Sequence, residues 1–180
     1  MACDASSIEG AQDVVEWHCF DYNITFEDYS VLRALEPGHC VVSENFIAGK
    51  YHWELHYFPN GVDENNEGYS SVFVKLPDIV TGCNTLIKTR FDIVLHHKFY
   101  GYDHLENDIV SSLDPSVHTF CAQNPIWGFD RFISKSIVEE KCWDKNNDHI
   151  KLRCYIWVTR EFSNGVTRRV RRREGSEDEY

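Results

Sequence analysis

Three side chains at alternate positions, His52, Glu54 and His56, are the strongest candidate for metal chemistry in the sequence. In a β-strand, residues at i, i+2 and i+4 share one face and lie about 6.6–6.8 Å apart from one to the next. Histidine and carboxylate side chains are also ligands that Zn²⁺ takes. However, the intervening positions are large and apolar, which is typical of a half-buried strand with a solvated polar face. No fourth ligand or supporting partner can be identified, so we predict no metal site and no cofactor.

Catalytic chemistry of other kinds has less support in the sequence. There is no G-x-S-x-G, P-loop or G-x-G-x-x-G segment, and no cysteine lies in a protease signature. The pair His96-His97 could be combined with Asp92 or Asp103, but nine histidines make such pairings common by chance. We therefore predict no catalytic residues and expect the protein not to be an enzyme, with a metal-dependent enzyme kept as a minor alternative.

Cysteine usage and the chain start indicate a reducing compartment. The seven cysteines are odd in number, form no C-x-x-C pair and match no zinc spacing. The first residues lack the basic and apolar regions of a signal peptide, and no apolar run approaches the ~20 residues of a membrane helix. We expect an intracellular protein, in the cytoplasm, the nucleus or both, with no membrane contact.

The charge distribution separates an acidic body from a mixed tail. The formal net charge is −11, although five of the last thirteen residues are arginines, at 168, 169, 171, 172 and 173. An acidic body repels nucleic acid and favours protein partners. The arginine cluster is equally compatible with an import signal and with a solvated tail that the following acids neutralise.

Alternating apolar and polar residues over most of the chain predict β-strands. The clearest segments are 19–26, 51–58, 69–76, 86–97, 117–121 and 149–159, and only residues 130–141 resemble a helix, weakly. Seven or eight strands with almost no helix predict an all-β antiparallel sandwich. We expect a flexible segment at 1–13, one domain at 14–162, and a charged, disordered tail at 163–180 outside the fold.

Several aromatic motifs in this order resemble a MATH domain, the meprin and TRAF homology module. The segments are Tyr29-Ser30, Ser43-x-x-Phe46-x-x-Gly49-x-Tyr51-x-Trp53-x-Leu55, Tyr57-Phe58-Pro59-Asn60-Gly61, Tyr69–Phe73, Trp127-Gly128-Phe129-x-x-Phe132 and His149–Ile156. They span roughly residues 17–160, and together they are most similar to the MATH halves of plant MATH-BTB proteins and speckle-type POZ adaptors.

This resemblance implies a TRAF-like eight-stranded antiparallel sandwich that captures short Ser/Thr-rich peptides of substrates for a cullin-based ubiquitin ligase. An extended peptide would lie in a shallow groove and place one apolar side chain in an aromatic pocket. Carried over by position, the groove residues are Tyr69, Phe73, Phe91, Thr119, Trp127, Gly128, Phe129 and His56.

The sequence departs from the family pattern at two of these positions. Thr119 stands at the position matched to a groove tyrosine, and His56 at the position matched to a groove arginine. BTB and cullin machinery are expected partners if a BTB domain follows in the full-length protein. A MATH-only chain would instead compete with such adaptors. The alternative from a different class is a stand-alone, self-associating TRAF-like scaffold.

Overall fold

The computed structural model describes residues 16–77, 86–98, 108–111 and 116–159, with only the backbone pairing described at 108–111. Within these residues, ten antiparallel strands form two sheets. The first sheet contains β1 (Trp17–Glu27), β6 (Ile87–His96), β7 (Asp108–Ser111), β8 (His118–Phe120) and β10 (His149–Thr159). The second contains β2 (Val41–Val42), β3 (Phe46–Ala48), β4 (Tyr51–Phe58), β5 (Tyr69–Lys75) and β9 (Ile126–Ser134).

Two edges of the sandwich are each built from two short strands. In the first sheet, the order is β1-β10-β6, and β7 and β8 then pair with different parts of β6. In the second sheet, the order is β4-β5-β9, and β2 and β3 pair with different parts of β4. The ten described strands therefore occupy eight strand positions, four in each sheet, which confirms the predicted TRAF-like architecture.

The core lies between the sheets and follows the alternation of the sequence. In β4, Trp53, Leu55 and Tyr57 are fully buried, whereas their neighbours are half-buried or exposed. The inward residues of β10, from Ile150 to Val158, are likewise buried. Rings from both sheets meet at the centre, where Trp53 of β4 stands edge-on to Phe120 of β8 with centroids 5.0 Å apart. Burial of large apolar side chains at about 1.5–3 kcal/mol each is the main force that holds the sheets together.

In the described residues, helical structure is confined to short segments. They are α1 (Tyr29–Leu32), a 3₁₀ turn (Glu64–Asn66), α2 (Lys135–Ile137) and a π-helical turn (Val138–Cys142). The predicted helical character of residues 130–141 is therefore wrong for its first part, because β9 continues to Ser134. No helix in the described part of the chain is long and apolar enough to span a membrane.

Hydrogen bonds to Asp148 link α1 to the start of β10. Its carboxylate accepts hydrogen bonds from the Ser30 amide at 2.9 Å, the Ser30 hydroxyl at 2.5 Å and the Trp143 indole at 2.9 Å. Its backbone carbonyl also accepts from the Tyr29 amide at 2.9 Å. Asp148 has a φ of 50°, a left-handed conformation in which Asp and Asn are favoured among residues other than glycine.

The expected domain boundaries at 1–13 and 163–180 fall on residues outside the described ranges, so they stay predictions.

Candidate functional site

Strand β9 forms an edge of the second sheet, since among the described strands it pairs only with β5. In an antiparallel ladder, residues that bond to the partner alternate with residues whose amide and carbonyl point away from it. The Leu76 amide donates to the Pro125 carbonyl at 2.9 Å, which fixes this alternation. Trp127 and Phe129 therefore direct their backbone groups toward β5, and Gly128 directs its own toward the open edge.

Gly128 is required by close packing of β9 on β5. A Cβ atom at this position would overlap the carbonyl oxygen of Val72 and lie 2.5 Å from the Cα of Phe73. Both of these are backbone atoms, which no rotamer change can move aside. On the outer face of the sheet, the ring of Phe73, with which Gly128 is paired, packs into the space that a side chain would need, and its Cδ1 lies 2.8 Å from the ideal Cβ position.

The outer face of the second sheet carries one group of the predicted residues. His56, Phe73 and Gly128 are neighbours in one cross-strand row. The half-buried Phe73 ring stands edge-on to Phe58, with centroids 5.7 Å apart. The His56 Nε2 lies 3.0 Å from the Glu54 Oε2, so the imidazole has a carboxylate partner within its own strand. This face offers the Phe73 ring packed against Gly128 and a His–Glu pair.

The other group of predicted residues lies on the inner side of β9, at the margin where β9 meets β8 of the first sheet. Trp127 and Phe129 pair with the buried Val74 and Val72, so they share the core-facing side. Phe129 contacts the buried Phe91 of β6 with ring centroids 5.9 Å apart. Both Trp127 and Phe129 remain half-buried because they stand at the margin of the core.

His118 completes this inner cluster, although the sequence analysis did not include it. Its ring stacks on Phe91 at 4.9 Å and lies 5.0 Å from the Trp127 ring. Thr119, the predicted groove residue, instead pairs with Lys88 and lies on the other face of β8. Its carbonyl oxygen still accepts the Trp127 indole N–H at 3.1 Å. His118 is two positions before the buried Phe120 and therefore shares its face of the strand, and this was the sequence signal that could have identified His118.

Tyr69 lies apart from both groups. It begins β5, pairs with Ser134, and is separated from Phe73 by a register shift between Ser70 and Val72. Its exposed ring is covered by the Arg131 guanidinium, whose central carbon lies 5.3 Å from the ring centroid. The structure therefore divides the predicted groove set into an outer group, an inner group and a separate Tyr69.

The three potential zinc ligands do not form a metal cluster. The exposed His52 pairs with Ile47 in β3, and His56 is engaged with Glu54. Across the described residues, no group of three or more His, Cys, Asp or Glu side chains is arranged to hold a metal ion.

A family model for the MATH domain matches residues 21–156, which include both aromatic groups and nearly all described strands. The chain belongs to the MATH domain family. The MATH domain is a protein-interaction module found in BTB adaptors and in TRAF proteins.

Curated relatives support this membership. The chain is 26% identical to BTB/POZ and MATH domain-containing protein 6 of Arabidopsis thaliana over 138 residues, 76% of this chain and 32% of that protein. It is 27% identical to protein 5 of the same series over 137 residues, 75% of this chain and 31% of that protein. The chain thus spans about a third of the length of these relatives.

Among solved structures, the fold is similar to Notothenia coriiceps TRAF5. The TM-score is 0.50 at 16% identity, and the match covers 84% of this chain and 77% of that chain. At this identity, the likeness bears on the fold alone.

Proposed function

We propose that this MATH domain captures short Ser/Thr-rich peptide segments of substrate proteins along the open edge of β9. The observation that carries the proposal is the position of Gly128, with its backbone groups directed to the open edge between two aromatic groups. An added peptide strand would bond to these backbone groups, and its side chains would alternate between the two faces.

The two faces of such a peptide would meet different surroundings. Side chains on one side would enter the inner cluster of Phe91, His118, Trp127 and Phe129, which suits an apolar anchor. Side chains on the other side would lie over Phe73 and the His56–Glu54 pair, where hydroxyl groups find hydrogen-bonding partners. A Ser/Thr-rich segment with one apolar residue matches both surroundings.

The biological role that we propose is a substrate adaptor of a cullin-based ubiquitin ligase, or a competitor of such adaptors, inside the cell. The printed names of the Arabidopsis relatives join a MATH domain to a BTB/POZ domain. A BTB domain in the full-length protein would connect bound substrates to the ligase. A chain with the MATH domain alone would bind the same peptides and withhold them.

The direct test is fluorescence anisotropy with labelled Ser/Thr-rich peptides that carry one apolar residue. Loss of an interface anchor commonly costs about 2–4 kcal/mol, so we expect Trp127→Ala or Phe129→Ala to weaken binding roughly 30- to 1,000-fold. Because these rings also border the core, Phe73→Ala on the outer face provides a second variant. Val31→Ala is the matched control, since Val31 is 63% exposed and lies in α1, outside β9 and both aromatic groups.

Circular dichroism must show that the variants are folded. If the folded Trp127 and Phe73 variants bind the peptide as tightly as the wild type does, β9 is not the binding edge. Light scattering on the same samples addresses the scaffold alternative, because a monomer at working concentration counts against self-association as the function.

A further inference from the structure

A cleft of about 650 Å³ opens on the side of the sandwich opposite the β8–β9 margin. One wall is the edge strand β1, at residues 22–27, and the other is formed by β2, β3 and their connection, at residues 41–47. At ~3.3 Å per residue, the β1 wall runs for about 17 Å, so the cleft is an elongated trough. The Tyr22 ring closes one end by packing on Phe46, with centroids 4.7 Å apart. The length of the trough suits five or six residues of an extended peptide.

The interior of the cleft is apolar and incompletely covered. Tyr22, Ile24 and Val41 pack against the core but are only half-buried, whereas the inward residues of β10 are buried. At the rim, Val42 and Ile47 are 43% and 52% exposed. Exposed apolar side chains that gather around one concave surface are typical of an interaction site.

Both walls of the cleft are strand edges. Among the described strands, β1 pairs only with β10, and β2 only with β4. The Ser43 amide donates to the Leu55 carbonyl at 2.9 Å, one step beyond the pair Val42–His56. Because bonded and non-bonded positions alternate in an antiparallel ladder, Val42 directs its amide and carbonyl away from β4, toward the open edge. An extended segment in the cleft therefore meets backbone hydrogen-bonding groups as well as apolar surface.

The rims of the cleft are acidic. Its charged lining residues are Glu27 on β1 and Glu44 between β2 and β3, and among the described residues no lysine, arginine or histidine lines it. The Glu27 side chain is 67% exposed, and His149 Nδ1 lies 4.0 Å from its Oε2. Arg153 on the neighbouring β10 donates to the Asp21 carboxylate, outside the lining set. The rims therefore attract the cationic side chains of an occupant.

We propose that this cleft is a second docking site, which binds an extended segment of a partner protein in which apolar residues alternate with Lys or Arg. Successive side chains of an extended peptide point to opposite sides. The apolar ones enter the trough beside Ile24 and Val41, and the peptide backbone bonds to the edge at Val42. The long stems of Lys and Arg let their charged groups reach Glu27 and Glu44 at the rims.

This inference does not rest on peptide capture at β9, because the two edges lie on opposite sides of the sandwich. The two sites also differ in selectivity, since the β9 edge is proposed to take Ser/Thr-rich segments and the cleft basic ones. One domain then holds two segments at the same time, either from one partner or from two.

Fluorescence anisotropy with the full chain and a labelled Arg-Val-Arg-Val-Arg-Val peptide tests the proposal. A protein with a net charge of −11 attracts any cation, so two comparison peptides are needed. Arg-Ser-Arg-Ser-Arg-Ser keeps the charge, and Glu-Val-Glu-Val-Glu-Val keeps the apolar residues. We expect the Arg-Val peptide to bind at least ~10-fold more tightly than either. Equal affinity of the Arg-Val and Arg-Ser peptides would overturn the proposal, because general charge attraction would then explain the binding.

Two kinds of variant locate the binding. The cleft variant is Glu27→Lys/Glu44→Lys, and its matched control is Glu67→Lys/Glu140→Lys, which makes the same charge change at exposed carboxylates outside the cleft. We expect the cleft variant to weaken Arg-Val binding at least ~10-fold and to gain affinity for the Glu-Val peptide, and the control to change either less than ~3-fold. Val42→Pro removes the outward amide without a change of charge, so it should weaken Arg-Val binding about 3- to 10-fold, whereas Val42→Thr should not.

Circular dichroism must show that the variants are folded. Equal Arg-Val affinity in the cleft variant and its control would overturn the proposal, and if the cleft variant does not fold, equal affinity in Val42→Pro and Val42→Thr would do so. Weaker Arg-Val binding by Phe73→Ala, or competition by the Ser/Thr-rich peptide, would place the binding at β9 instead. A dimer mass in light scattering that is lost in the cleft variant would also contradict the proposal, because a second copy would then occupy the cleft.

Discussion

The Trp127 indole N–H donates to the backbone carbonyl oxygen of Thr119 at 3.1 Å, and this bond joins the edge strands β9 and β8 of opposite sheets. The same indole belongs to the inner aromatic group that we propose binds peptide. The contribution of Trp127 to stability must therefore be measured separately from its proposed contribution to peptide binding.

Replacing Trp127 with Phe tests the structural part alone. The substitution keeps an aromatic ring and removes the hydrogen bond, so we expect the free energy of unfolding to fall by about 0.5–1.5 kcal/mol. Urea denaturation measures the change. The matched control is Trp157→Phe on the outer face of β10, for which a smaller loss is expected. Equal losses in both variants would contradict a stabilising role for the Thr119 contact.

Gly128→Ala should be strongly destabilising for a steric reason. The added methyl group would overlap backbone atoms of Val72 and Phe73, and overpacking of this kind typically costs about 1–3 kcal/mol, with this site at the upper end. Gly68→Ala is the control that measures the cost of backbone conformation without steric overlap, because Gly68 has a φ of 88° but no atom within 4 Å of its ideal Cβ. We expect the Gly68 variant to lose only about 1–2 kcal/mol, the cost of a left-handed conformation for a residue with a Cβ. If the Gly128 variant is as stable as the Gly68 variant, the backbone of β5 can shift to accommodate the added methyl group, which would contradict the steric explanation.

Stability should decline at alkaline pH through the buried tyrosines. Burial raises the pKa of Tyr29 to about 12, and burial also raises the pKa of Tyr57. A free tyrosine titrates near ~10, so the unfolded chain releases these protons first and stability is lost as the pH rises from about 10 toward 12. Urea midpoints between pH 8 and 11 should fall less steeply for Tyr29→Phe than for the wild type. The exposed Tyr69→Phe is the control and should keep the wild-type slope.

Stability should also decline in acid through Asp148. Hydrogen bonds, first from the Ser30 hydroxyl and then from the Ser30 amide and the Trp143 indole, lower the pKa of this carboxyl below its usual value. Its contribution is complete above the unfolded pKa of about 3.9 and is lost as the pH falls through the lower folded value. Asp148→Asn should therefore lower the Tm at pH 7, and the difference should shrink toward pH 3. Asp130→Asn, at an exposed position, is the control; a constant Asp148 difference at all pH values would contradict this account.

Metal dependence gives a further test. We expect the purified chain to carry no stoichiometric zinc and its Tm to be unchanged by EDTA, because His56 is paired with Glu54 and His52 points to solvent. Elemental analysis and a thermal melt measure both. A zinc-to-protein ratio near one that is lost in His52→Ala/His56→Ala would contradict the expectation.

Strands with strict alternation were predicted well from sequence. The segments 51–58 and 149–159 coincide with β4 and β10, because one face of each is fully buried and the apolar period is unbroken. The short strands β2, β3 and β7 were missed, since two to four residues show no period and depend on tertiary pairing with β4 or β6. The helical pattern at 130–134 was overridden by pairing with β5.

Motif matching identified the aromatic residues of the candidate site but not which face each occupies. Phe73 and Trp127 were grouped together, yet register places them on opposite faces of one sheet. In β8, Thr119 was predicted, but the neighbouring His118 is the residue whose ring contacts Phe91 and Trp127, since a one-residue step in a strand changes the face. Binding by any of these residues stays a prediction until peptide affinity is measured.

The broken edges β2–β3 and β7–β8 leave each sheet with a single continuous edge, β1 in one and β9 in the other. These two edges lie at diagonally opposite corners of the sandwich. A molecule with both edges open could join its β1 to the β9 of the next, and such head-to-tail contacts build an open fibre unless the rotation between copies closes a ring. A peptide bound along β9 would block one of the two edges and so end such growth at one molecule.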